Sequence, residues 1–161
     1  VRHEILIGVG RMKYVVEAGM LTKPVPFPLL EVHRGNETGS SGEYYFNHMN
    51  YMEFASDAFV NLYAEYGMNG FFFNKIWLLR KLQLRELLTF KACYGRMLND
   101  NNSILTLPQN TFELNMPYME AGIGVTNLLK FIRLEYIWRL NYLDHSDISK
   151  KGLYIRFNFE F

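Results

Sequence analysis

The sequence predicts an all-β fold: an antiparallel transmembrane β-barrel, of which this chain supplies the C-terminal portion, about seven strands of a larger barrel. Three observations lead there. Apolar and polar residues alternate with a period of two along several segments. Those segments run to about 9–11 residues, the length a tilted strand needs to cross a bilayer and longer than the usual strand of a soluble sheet. The connections between them alternate between long polar loops and short turns, as in outer-membrane barrels.

The C-terminus carries the strongest signal. From Gly152 to Phe161, Leu153, Ile155, Phe157, Phe159 and Phe161 lie on one face, and Tyr154, Arg156, Asn158 and Glu160 on the other. Successive side chains of a strand point to opposite faces, so this segment has one apolar and one polar side. Leu134, Tyr136 and Trp138 form a similar face opposite Arg133, Glu135 and Arg139. Residues 119–126, 58–69 and 88–95 alternate in the same way, and residues 2–10 and 13–20 predict two further strands with a turn near Arg11-Met12. Residues 73–84 suit a short helix. The connecting segments are residues 21–56, 70–83, 97–116, 128–131 and 143–151. If Phe161 lies on the periplasmic side, the long loops all fall outside and the tight 128–131 turn falls inside.

Composition narrows the functional classes. The 161 residues carry 17 basic and 16 acidic side chains, a balance that speaks against a nucleic-acid binder. Aromatic content is 16%, rich for any chain. The lone cysteine, Cys93, excludes an intrachain disulfide. No apolar run approaches the roughly 20 residues of a spanning helix. The chain opens Val1-Arg2-His3-Glu4 without an apolar leader and reads as a piece of a longer protein whose own signal would lie upstream. A soluble β-sandwich would also alternate, but the strand length and the aromatic-bearing apolar faces favour the membrane barrel.

No motif points to catalysis. Gly8-Val9-Gly10 and Gly122-Ile123-Gly124 lack the third glycine of a dinucleotide fingerprint and lie in strand-like segments. The run Gly35 to Gly42 lacks the lysine of a phosphate loop and reads as a flexible tip. His3, His33, His48 and His145 have no metal-ligand spacing and read as solvent-facing loop residues. Glu65, Lys91, Glu120, Arg133, Glu135, Arg139, Arg156 and Glu160 share the polar faces, which suggests a wet, salt-bridged lumen. The expectation is therefore a non-enzymatic barrel with no cofactor and no metal.

Several stretches carry a family resemblance: P-F-P-L-L-E-V-H-R-G-N-E-T, F-N-H-M-N-Y-M-E-F-A-S-D (46–57), N-G-F-F-F-N-K-I (69–76), P-Y-M-E-A-G-I-G-V-T-N-L-L-K-F-I-R (117–133) and W-R-L-N-Y-L-D-H (138–145). With them the chain resembles the C-terminal barrel of a Gram-negative outer-membrane family. That family is related to the BamA/TamA-type insertase superfamily and often carries a carboxypeptidase-regulatory-like domain. The link to the superfamily is a long loop bearing Arg34-Gly35, five strands after it, and an aromatic end in which Phe159 and Phe161 would form a sorting signal. Asn36 stands where the superfamily usually has an aromatic. The resemblance implies a barrel of sixteen strands in the outer membrane, assisting assembly or transport of proteins or lipids. Its partners would be outer-membrane lipid and other outer-membrane proteins as clients or subunits. A passive pore or structural barrel is the alternative. Leu134, Tyr136, Trp138, Leu153, Ile155 and Phe157 would face lipid. The 21–56 loop would fold into the lumen, with Arg34 paired to Glu65 or Glu120.

Overall fold

The computed structural model describes residues 1–100, 104, 106–145 and 147–157. Its strands are β1 (Arg2–Ile7), β2 (Gly10–Met20), β3 (Glu31–Val32), β4 (Ala55–Ser56), β5 (Ala58–Met68), β6 (Arg85–Arg96), β7 (Tyr118–Leu128), β8 (Ile132–Arg139) and β9 (Lys151–Phe157). Seven of them form one antiparallel sheet in the order β1-β2-β5-β6-β7-β8-β9, so every strand pairs with its neighbour in the chain once the β3–β4 pair is set aside. The fold is all-β. The one α-helix among the described residues, α1 (Trp77–Lys81), has five residues, and none is long and apolar enough to cross a membrane.

The first turn lies three residues earlier than its sequence pattern predicts. Ile7 pairs with Gly10, leaving Gly8 and Val9 as a two-residue hairpin. Gly8 has φ +56°, which suits the first central position of a type II′ turn. Gly8 thus serves the turn and not the strand-like segment its neighbours suggest. At the same end of the sheet, β5 passes to β6 through residues 69–84, and β7 to β8 through 129–131. The long connections 21–54, 97–117 and 140–150 all leave from the opposite end.

The alternation read from the sequence separates two faces. On the open face stand Val60 and Leu62 of β5, Leu88 and Phe90 of β6, Ile123 of β7, Leu134 and Trp138 of β8, and Leu153 and Ile155 of β9. Val60, Leu88, Ile123 and Leu153 are solvent-exposed. Glu86, Arg96 and Lys151 share this parity but sit at or next to strand ends. Soluble monomers rarely expose so wide an apolar face.

The other face is polar and is covered by the chain itself. Residues 21–57 double back over it. Phe46, Met49 and Phe54 are fully buried there against Val15, Tyr63, Cys93 and Tyr118, with Leu114 from the 97–117 connection. The loop is braced by its own backbone bonds: His33 N donates to Phe54 O (3.0 Å), Phe46 N to Arg34 O (2.8 Å) and Asn36 N to Met49 O (2.8 Å). The hydrophobic core of this chain therefore lies between loop and sheet.

Candidate functional site

Burying a loop with little regular structure beyond the β3–β4 pair leaves backbone donors and acceptors that must find partners. The strands supply them. Glu120 on β7, 1% exposed, accepts from Asn47 N (2.8 Å), His48 N (2.6 Å) and the Tyr118 hydroxyl (2.7 Å). Tyr154 on β9 donates to Asn47 O (2.6 Å) and stands 3.1 Å from His48 Nδ1. The Nε2 of His48 lies 2.9 Å from Ile137 O, where it donates. Burial pushes the His48 pKa below its ordinary value, so the ring is neutral with its proton on Nε2.

Arg139 at the end of β8 is the second anchor. All five of its N–H donors are used. Two meet Glu53 of the loop (2.9 and 2.6 Å), and the others reach the carbonyls of His48 (2.8 Å), Asn141 (3.1 Å) and Tyr142 (2.9 Å). Its guanidinium also lies over the Tyr118 ring, 4.8 Å from the centroid. Glu53 further accepts from Asn50 N and His145 Nδ1, each at 2.9 Å. The planar fork of arginine suits such a bidentate carboxylate site. Lys91 of β6 joins the set through the carbonyls of Gly42 (2.5 Å) and Tyr45 (2.7 Å).

Towards the hairpin end the charges pair with one another. Arg133 binds Glu65 twice (3.0 and 2.7 Å) and Glu135 once (2.8 Å). Ser41 donates to Glu135 at 2.5 Å, the loop's contact with this group. Below it the face opens into a recess lined by Arg11, Lys13, Glu65, Arg85 and Thr126. A second recess, about 630 Å³, lies at the long-loop end between Asn36, Thr38, His48, Asp147 and Tyr154.

The residues singled out from sequence fall as follows. The 21–57 loop does lie on the polar face, but Arg34 does not meet Glu65 or Glu120. It pairs loosely with Glu17 on β2 (3.7 Å) and is half exposed. The physical reason is prior occupation: Arg133 holds Glu65, and the loop backbone holds Glu120. Gly35 allows a close approach, since a Cβ there would collide with the carbonyls of Met49 and Asn50. Asn36, in the place of the expected aromatic, folds the chain over itself. Its Oδ1 accepts from Thr38 N (2.9 Å) and Thr38 Oγ1 (2.7 Å), while its Nδ2 donates to Ser40 O (2.8 Å). Leu134, Tyr136, Trp138, Leu153, Ile155 and Phe157 share the open face. Glu160, Phe159 and Phe161 lie outside the described residues.

His33 and His48 are corrected. They are 1% and 2% exposed, not solvent-facing, because the loop folds inward around them. Glu53, His48 and Tyr154 were missed as anchors. Glu53 and His48 lie in the F-N-H-M-N-Y-M-E-F stretch, where four polar or charged side chains within nine residues of a loop were the available signal. Among the described residues no group of three or more His, Cys, Asp or Glu side chains could hold a metal ion. The carboxylates of the face are occupied by donors, an arrangement that holds a loop in place.

A family model matches residues 1–102, described as the C-terminal domain of a family of unknown function (DUF5686). The chain belongs to that family. The matched stretch spans β1 to β6, with the whole 21–57 loop. Comparison with curated proteins and with solved structures returns no match.

Proposed function

We propose that this domain of the DUF5686 family forms part of the wall of an outer-membrane β-barrel of insertase or translocase type, which assists assembly or transport at the outer membrane. The observation that carries the reading is the division of the sheet: an apolar, exposed face across seven strands, and a polar face covered by a long loop. In a bilayer the first face needs no protein partner, while backbone groups pair between strands. Leu134, Tyr136, Trp138, Leu153, Ile155 and Phe157 would lie against lipid. Arg133, Glu135 and Arg139 would line the lumen. The five strands β5 to β9 after the Arg34-Gly35 loop support the likeness to BamA/TamA-type insertases. A carboxypeptidase-regulatory-like domain and client or subunit proteins belong to the same proposal.

Apart from Ile155, whose N–H and carbonyl meet Gly39 O (3.0 Å) and Ser41 N (3.2 Å), the edges of β1 and β9 would leave unpaired backbone groups in lipid, so further strands complete the wall. The loop favours a barrel closed at rest over an open passive pore, because it lies across the face that would line the channel.

Fractionation tests the membrane reading: the protein should leave the outer membrane only with detergent, and recovery in soluble form without it would sink the proposal. Planar-bilayer recording then separates the two classes. Low resting conductance, with loss of other outer-membrane proteins on depletion, is expected. Large steady conductance without such loss would establish the passive pore.

A further inference from the structure

The connection between β5 and β6, residues 69–84, is long for the hairpin end of this sheet, and it does not fill the mouth there. The recess at that mouth is lined by Arg11, Lys13, Glu65, Arg85 and Thr126, with only Asn69 from the connection. Instead the segment is held on the other side. Glu86, which has open-face parity with Leu88 and Phe90, accepts from Phe72 N (2.8 Å) and Phe73 N (2.5 Å). This draws the segment towards the rim of the apolar face.

Its composition fits that position. Phe71, Phe72, Ile76, Trp77, Leu78 and Leu82 are all exposed, between 43% and 62%. An exposed stretch of this kind, unlike an isolated apolar residue, demands a partner. Residues 70–83 contain Lys75, Arg80 and Lys81 and no Asp or Glu. The cations lie over the rings: Lys75 Nζ is 4.7 Å from the Phe71 centroid, and Lys81 Nζ is 4.1 Å from that of Trp77. Aromatic rings beside cations, with no acid among them, match an interface of hydrocarbon below and phosphate above.

We infer that residues 70–83 form an amphipathic foot lying in the headgroup layer of the leaflet at the hairpin end, with Phe71, Phe72, Trp77 and Leu78 inserted and Lys75, Arg80 and Lys81 at the phosphates. The occupant is a phospholipid surface. Two features favour lipid over a protein partner: continuity with the open face at Glu86, and the net positive charge of residues 70–83. The foot rests on the membrane reading above and extends it, since a barrel wall needs no such segment. It would fix the depth and tilt of this part of the wall.

The test uses tryptophan emission. The protein is reconstituted in phosphatidylglycerol-containing vesicles with lipids brominated near the headgroup or deep in the acyl chains. Subtracting the emission of W77F and of W138F from the parent isolates each tryptophan. Trp77 is expected to be quenched strongly by shallow bromines and weakly by deep ones or by aqueous iodide. If Trp138 is quenched by brominated lipid and Trp77 is not, the foot is overturned while the membrane reading stands. If neither is quenched, the membrane reading fails and the foot with it. The variant K75E/R80E/K81E should weaken the shallow quenching of Trp77 and leave Trp138 unchanged; no change at Trp77 would remove the phosphate contact from the proposal.

Discussion

The two halves of the covered face solve the same problem in different ways. Near the long connections, acids and bases of the strands pair with the loop: Glu120 with its backbone N–H groups, Arg139 with Glu53 and carbonyls. Near the hairpins, Arg133, Glu65 and Glu135 pair with one another, across from β8 to β5 and along β8 itself. Similar residue types on one face thus do separate jobs, one fastening a loop and the other fastening a sheet. What decides the job is whether a segment of chain lies above.

Substitutions can separate those jobs. Arg139 and Glu53 have side chains 0% and 3% exposed, and breaking such a buried pair costs about 3–5 kcal/mol, so Glu53→Ala should lower the urea midpoint strongly. It should also open residues 21–57 to protease. Arg133→Ala strands Glu65 and Glu135 and should destabilise by a similar amount, while the loop stays protected. Equal loop cleavage in both variants would erase the distinction. Glu120→Ala comes next: it orphans two buried N–H groups at about 1–3 kcal/mol each, and its effect should again appear as loop cleavage.

A pH effect of middle size is expected from the loop itself. His33 is buried, and that burial, opposed in part by the side chain of Asn61, lowers its pKa from 6.5 to about 4. The unfolded chain therefore binds the extra proton between those values. The stabilisation is complete above 6.5 and is lost as pH falls towards about 4, reaching about 2 kcal/mol at pH 5. Unfolding midpoints at pH 7.5 and 5 should differ accordingly, and His33→Gln should flatten the slope. The smallest effect belongs to Arg34→Ala. An exposed pair at 3.7 Å contributes under about 1 kcal/mol, so the midpoint should barely move. A large shift would return Arg34 to the role its motif suggested.

The strands were legible because a period of two is a local property, visible at Leu153-Tyr154-Ile155-Arg156 without knowing any neighbour. Polar parity even placed Glu120, Arg133 and Arg139 on the covered face. Partner choice was not legible. Arg34 lost Glu65 to Arg133 through a register that brings residues 68 apart in sequence together. His48 and Tyr154, separated by 106 residues, carry no mutual signal in the chain. The hairpin at Gly8 was hidden for a different reason: a glycine flanked by apolar residues looks like strand until the backbone angle is known.

The connectivity also sets an order in time. Each strand of the sheet meets its chain neighbour, so at the short turns pairing can propagate with little loop-closure entropy at any step. The 21–57 loop cannot keep pace. Its anchors lie 72 residues on at Glu120, 86 at Arg139 and 107 at Tyr154, and they do not exist as a surface until β7, β8 and β9 are aligned. The loop precedes its anchors in the chain and is therefore among the last segments to settle, and until it does the polar face stands open.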